Sequence, residues 1–195
     1  MARVAMMTAA AVIAGLSAVV PAAAQQPTEE EMMAAWQAAM AVGPQHEALA
    51  ARVGTWAVTT TYAAMPGSDQ MITEHGTAER TVALDGRVVE ERFAGSMMGM
   101  PFTGEGRTGY DNVTGRYWTT WTDTMSTALI VLYGSYDEAT ATYTFEGTTV
   151  APLMGDIPTR IERVIDGPDR ETSVFYFQYP GMDEAEVMEI AYERQ

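Results

Sequence analysis

Residues 86–123 read GRVVEERFAGSMMGMPFTGEGRTGYDNVTGRYWTTWTD. Short runs rich in Val, Phe, Tyr, Trp and Thr alternate with breaks of Gly, Pro, Asp and Asn. This is the pattern of β-strands joined by tight turns. The stretch contains no metal cage, phosphate loop or nucleophile motif.

The same rhythm continues on both sides. It predicts strands over 53–64, 70–83, 87–97, 101–110, 115–123, 127–136, 140–149, 157–166, 170–179 and 186–194. The gaps hold turn formers such as Met65-Pro66-Gly67, Asp85-Gly86, Gly99, Asp111-Asn112, Asp137-Glu138, Gly155-Asp156, Asp166-Gly167-Pro168 and Pro180-Gly181. Gly supplies positive φ there, and Asp and Asn bond to their own backbone. Hairpin-sized gaps with no intervening helix predict an all-β fold, an antiparallel up-and-down barrel of roughly ten strands, and exclude a parallel α/β sheet.

Ahead of the strands, Thr28-x-x-Glu31 is a capping box, and Met32, Trp36 and Met40 recur at four-residue spacing. The spacing predicts a helix that ends at Gly43-Pro44, with the apolar stripe packed on the core. A further helical turn is expected around His46 to Arg52. At the extreme N-terminus, Arg3, the small apolar run Ala5–Val20 and the pair Ala22, Ala24 have the form of a secretory signal. The expected organisation is a signal peptide over 1–24, an N-terminal helix over 25–45 and a β-barrel domain over 46–195. The expected location is periplasmic or secreted.

The chain has 195 residues with 11 Lys+Arg, 26 Asp+Glu and a net charge of -15. Every basic residue is Arg, and there is no Lys and no Cys. Removing 24 residues would leave 171 and, with Arg3 gone, a charge of -16. Such a surface repels nucleic-acid phosphates and anionic lipid, so neither is expected as a partner of the mature protein. Zero Cys and zero Lys exclude thiolate catalysis, disulfides and Schiff-base chemistry.

A resemblance adds to this reading. Gly86-Arg87, Met98-Gly99-Met100-Pro101-Phe102, Gly104, Gly109-Tyr110-Asp111-Asn112 and Trp121-x-Asp123 fall in the order and spacing of one bacterial family. Upstream, His46-x-x-Leu49, Gly54-x-Trp56 and Pro66-Gly67 match as well. Downstream, Gly134-x-Tyr136-Asp137 and Met188-Glu189-Ile190-x-Tyr192-x-Arg194 complete the match. By these anchors the chain resembles the family catalogued as domain of unknown function fifteen seventy-nine. The resemblance implies a calycin-like barrel, the architecture of lipocalins, with Trp56 closing the barrel base. It implies no activity.

Alternation sorts side chains onto two faces of each strand. Trp56, Val58, Thr60 and Tyr62 share one face of the first strand, and Tyr117, Thr119, Trp121 and Asp123 one face of the fifth. In the third, Val88, Glu90, Arg92 and Ala94 alternate with Val89, Glu91, Phe93 and Gly95. Alternation alone leaves open which parity points inward. A barrel of this strand number can hold a small ligand. Trp121, Tyr110 and Tyr192, with Phe93 and Tyr136, are candidate lumen walls. Arg92, Arg163 and Glu90, with Asp123, are candidates to orient a ligand head, because the Arg fork holds carboxylate or phosphate bidentately.

Other chemistry is thinly supported. His46 and His75 are the only histidines. No Ser lies in a nucleophile elbow. His46 is expected to cap a helix or make a structural hydrogen bond. His75 offers an axial haem ligand, and Met97, Met98 and Met100 offer thioethers to copper(I), but the expected cofactor is none. Glu90 and Glu91 point to opposite faces and cannot act together. The expected function is binding of a small, largely apolar or amphipathic molecule in the lumen. The alternatives are an enzyme acting on such a molecule, with a buried acid as general base, and a structural or protein-interaction module.

Overall fold

A computed structural model describes residues 26–65 and 68–195. The expected signal segment lies outside these. Helix α1 spans Glu29–Met40 and helix α2 spans Pro44–Ala50. Ten strands follow: β1 (Gly54–Ala63), β2 (Met71–Ala83), β3 (Val88–Met97), β4 (Met100–Asp111), β5 (Arg116–Asp123), β6 (Ile130–Asp137), β7 (Thr142–Ala151), β8 (Gly155–Ile165), β9 (Arg170–Phe177) and β10 (Ala185–Arg194). Each strand pairs antiparallel with its sequence neighbours, and β10 returns to β1 to close the barrel. Closure leaves no strand edge unpaired. This is the expected architecture.

The up-and-down topology gives the barrel two ends. At one end lie α2 and the connections β2–β3, β4–β5, β6–β7 and β8–β9. The other end carries the β1–β2, β3–β4, β5–β6, β7–β8 and β9–β10 loops. Each of these five loops exposes a methionine: Met65, Met98, Met125, Met154 and Met182. In the β3–β4 hairpin, Met98 and Gly99 both have positive φ (55° and 72°). That conformation matches the twist of a two-residue hairpin.

Helix α1 forms as the capping box dictates. Glu31 N donates to Thr28 Oγ1 at 3.2 Å, and Thr28 N donates to Glu31 Oε2 at 2.7 Å. Its apolar stripe does not pack on the core, which corrects that expectation. No residue of α1 is buried, and Trp36 is 67 % exposed. The helix is instead held by its C-terminal carbonyls. The Asn112 amide donates to Ala41 O at 2.7 Å and also faces Ala38 O and Ala39 O, both at 3.2 Å. Arg87 Nη2 donates to Met40 O at 2.8 Å. A turn role accounts for Asp111, which accepts from Val113 N, but the Asn112 side chain serves the helix end.

Helix α2 plugs the adjoining end. Leu49 and His46 are buried beneath it. Gly43 N donates to His46 Nδ1 at 3.2 Å, so Nε2 carries the proton and donates to the Tyr110 carbonyl at 3.1 Å. His46 thus has the capping and structural role expected of it.

Inside the barrel the apolar core falls into two clusters. Leu49, Val89, Tyr117, Leu132, Tyr143, Phe145 and Ile161 form one. Trp56, Val58, Ala78, Phe93, Phe102 and Tyr192 form the other. Gly104 and Gly106 make room for Trp121 on the inner wall: a Cβ on Gly104 would lie 2.1 Å from Trp121 Cζ2.

Candidate functional site

An internal cavity of about 50 Å³ remains near the α2 end. Leu49, Val89, Trp121, Phe145 and Ile165 give it apolar walls, and Arg52, Arg80, Glu91, Arg163 and Glu171 give it charge. These five charged residues come from the α2–β1 junction and from β2, β3, β8 and β9, and only a closed barrel brings them together.

Glu171 is the centre of the charge cluster. Its side chain is 1 % exposed, and its oxygens are divided between two guanidiniums. Arg80 Nη2 stands 2.5 Å from Oε1, an ion-pair contact rather than an aligned hydrogen bond. Arg52 Nε donates to Oε2 at 3.0 Å. Arg80 also donates from Nε to Glu91 Oε2 at 2.5 Å. The Arg80 guanidinium lies 5.0 Å from the Trp56 ring and 4.6 Å from the Tyr192 ring. Arg52 and Arg194 also stack on Trp56, at 4.7 Å and 4.3 Å. Trp56 is fully buried and donates from Nε1 to Arg52 O at 3.2 Å.

The electrostatics follow from this packing. Burial by itself pushes the Glu171 carboxyl up, but the charges of Arg80 and Arg163, with Arg52, outweigh it and hold the group below its ordinary value. Burial of the Arg80 guanidinium favours its neutral form, yet Glu91 and Glu171 prevail and raise its pKa further. Burial pushes the Tyr143 and Tyr192 phenols up, so both stay neutral at ordinary pH.

Arg163 differs from its neighbours. It is half-buried, faces the cavity and donates from Nε to Ser173 Oγ at 3.1 Å. Among the described residues no carboxylate lies within ion-pair distance of it.

The candidate residues from the sequence divide accordingly. Trp121 and Arg163 line the cavity. Tyr192 is buried against Arg80 without lining it. Tyr110 packs between His46 and Tyr117, under the plug. Arg92 and Glu90 do not face the lumen, which corrects the expectation that they orient a ligand head there. Arg92 is paired with Glu105 at 3.4 Å, and the side chains are 76 % and 68 % exposed. Glu90 pairs with Arg107 at 2.8 Å, also outside. In β3 the inward parity is Val89, Glu91, Phe93, Gly95, because Phe93 must meet the second core cluster. Asp123 is at the far end and accepts from Trp121 Nε1 at 3.0 Å. His75 is exposed on the outer face, 3.2 Å from Thr59 Oγ1, and Met98 and Met100 are exposed. Arg52, Arg80, Glu91 and Glu171 were not among the candidates. Arg80 and Glu171 carry no local signal, since a single charge on a strand reads as solvent-facing unless its parity is known.

Among the solved structures compared, Rv2717c supports the fold, and the fold alone. Rv2717c from M. tuberculosis is similar with a TM-score of 0.58 and 13% identity, covering 80% of this chain and 99% of that one. EF1p2_mFAP2b bound to DFHBI gives a TM-score of 0.42 and 14% identity, over 77% of this chain and 99% of that one. No curated protein matches the chain. A family match covers residues 41–194, from the entry into α2 to the end of β10. With that span matched, and the barrel that its anchors imply in place, the chain belongs to the family described as protein of unknown function (DUF1579).

Proposed function

We propose that this chain is a small-molecule-binding barrel that takes its ligand in the lumen. One observation carries the reading: a cavity is left inside the barrel between an apolar wall and a buried charge cluster. Binding sites combine such walls with a few fixed polar groups. The apolar part is Trp121, Phe145, Val89 and Ile165, and the polar part is the guanidinium cluster. This lining favours a small amphipathic ligand over a wholly apolar one. The cavity of about 50 Å³ has room for on the order of four water-sized atoms. It is far smaller than the roughly 300–1,000 Å³ of a drug-sized pocket. An exported location fits the segment Met1–Ala24 and belongs to the same proposal.

Native mass spectrometry of protein from its own host, with a thermal-shift screen of small amphipathic compounds, tests it. A co-purifying small molecule, or a compound that raises the midpoint in proportion to ln(1 + [L]/Kd), supports the reading. No bound species together with no stabilising compound sinks it.

Catalysis has less support. Glu171 is a buried acid beside the cavity, but guanidiniums engage both oxygens and lower its pKa, which makes it a poor general base. The interaction-module reading draws on α1, which buries none of its residues. It requires that Trp36→Ala, with the barrel intact, abolish a defined association.

A further inference from the structure

We infer that the lumen holds a site for a small monoanion of the carboxylate type, anchored by the Arg163 guanidinium. The inference rests on the lumen being a binding site and adds the charge and shape of what it takes.

Three guanidiniums and two carboxylates line the cavity: Arg52, Arg80 and Arg163 against Glu91 and Glu171. The pairing accounts for all but one of them. Glu171 joins Arg52 and Arg80, and Glu91 joins Arg80. Arg163 remains with one hydrogen bond, to a neutral hydroxyl. The lining therefore carries one positive charge in excess. Arg163 is half-buried and its charge reaches Glu171, but among the described residues no carboxylate touches it, so a bound anion would supply the direct partner that it lacks. The surplus of one selects a monoanion over a dianion.

Shape agrees with charge. The Arg163 Nε already donates to Ser173, so the two terminal nitrogens are free to donate in parallel. That is the fork geometry that suits a planar carboxylate. Tyr143 is the cross-strand partner of Arg163 and, with Phe145 and Ile165, offers an apolar surround to a short alkyl group. A cavity of about 50 Å³ admits an anion the size of acetate, again on the order of four water-sized atoms. The direct contacts of Glu91 and Glu171 are to Arg80 and Arg52, not to Arg163.

The test is calorimetric titration of the protein at pH 7 and constant ionic strength with acetate and with its uncharged isostere acetamide, repeated on Arg163→Met and Arg163→Lys. Acetate is expected to bind at least tenfold more tightly than acetamide. Arg163→Met should weaken acetate roughly ten- to a hundredfold, the loss of a charge-assisted pair. Arg163→Lys should recover part of this, since it restores charge without the fork. Nitrate distinguishes the source of the anion: displacement of acetate assigns the site to any small planar monoanion, and no displacement assigns it to an alkyl carboxylate. Either outcome supports the site. Among the described residues no carboxylate touches Arg163, so Arg163→Met should lower the unliganded thermal midpoint by far less than Glu171→Gln does. An equal drop would mean that Arg163 is already fully compensated, and the inference falls. Equal binding of acetate and acetamide, or unchanged acetate binding in Arg163→Met, overturns the anion site while the lumen reading stands. Binding of neither compound to the wild type, together with a blank compound screen, overturns both.

Discussion

Glu171→Gln is the substitution that tests the buried cluster most directly. Gln keeps the volume and one acceptor oxygen, but it presents an NH2 group to a guanidinium that also only donates. Arg80 loses one of its two carboxylates and Arg52 its only ion pair among the described residues. Removing one partner of a buried pair costs about 3–5 kcal/mol, because it leaves the other charge uncompensated. For a chain of this size each kcal/mol moves the thermal midpoint by roughly 2–4 °C, so the expected drop is roughly 6–20 °C at pH 7. The pH dependence has a fixed sign. The folded pKa of Glu171 lies below its ordinary 4.5, so the unfolded chain takes up the proton first. The stability from this group is fully present above about 4.5 and is lost as pH falls through the folded value. In that window the wild type should lose up to about 1.4 kcal/mol per pH unit more than the variant. Thermal unfolding followed by circular dichroism from pH 7 to pH 3 reads both effects. A gap below about 1 kcal/mol at pH 7, or one that does not narrow below pH 4.5, would refute the ionised cluster.

The outer faces should be far more tolerant. Arg92→Met should shift stability by less than about 0.5 kcal/mol in denaturant unfolding, since its pair with Glu105 is solvent-exposed. Gly104→Ala should cost about 1–3 kcal/mol and alter Trp emission, because the new Cβ would displace the Trp121 ring; an unchanged denaturant midpoint would show that the ring has room. Asn112→Ala should speed amide hydrogen exchange in α1 while leaving the strands protected, since the amide holds the helix by three carbonyls and no buried side chain. Equal protection of α1 in both proteins would contradict that attachment.

The strands were legible because turn chemistry and alternation agree along most of the chain. The largest slip, at the start of β6, has a local cause. Asp123 Oδ1 accepts from Met125 N and Ser126 Oγ accepts from Ala128 N, which keeps this segment in a loop until Ile130. The site was less legible for reasons of parity. Both faces of β3 carry Val and Glu, so charge alone cannot tell Glu91 from Glu90. The discriminating signal is Phe93, which faces Gly104 across the β3–β4 pair and turns Arg92 outward. A one-residue shift of phase moves a whole set of side chains to the other face. The α1 stripe misleads in another way: helical periodicity reports a helix, not what covers it.

The five methionines on the loop end carry a consequence of a chemical kind. Thioethers oxidise to sulfoxides, which turns an apolar side chain into a polar one. One exposed methionine on each loop makes this whole rim an oxidisable surface, while Trp56, Glu171 and Arg80 sit sealed near the other end. An oxidant arriving from solution therefore meets this rim, and Met32, Met33 and Met40 exposed on α1, before it meets the cluster. It changes the wetting of that end of the barrel and leaves the ion pairs that hold the barrel together untouched.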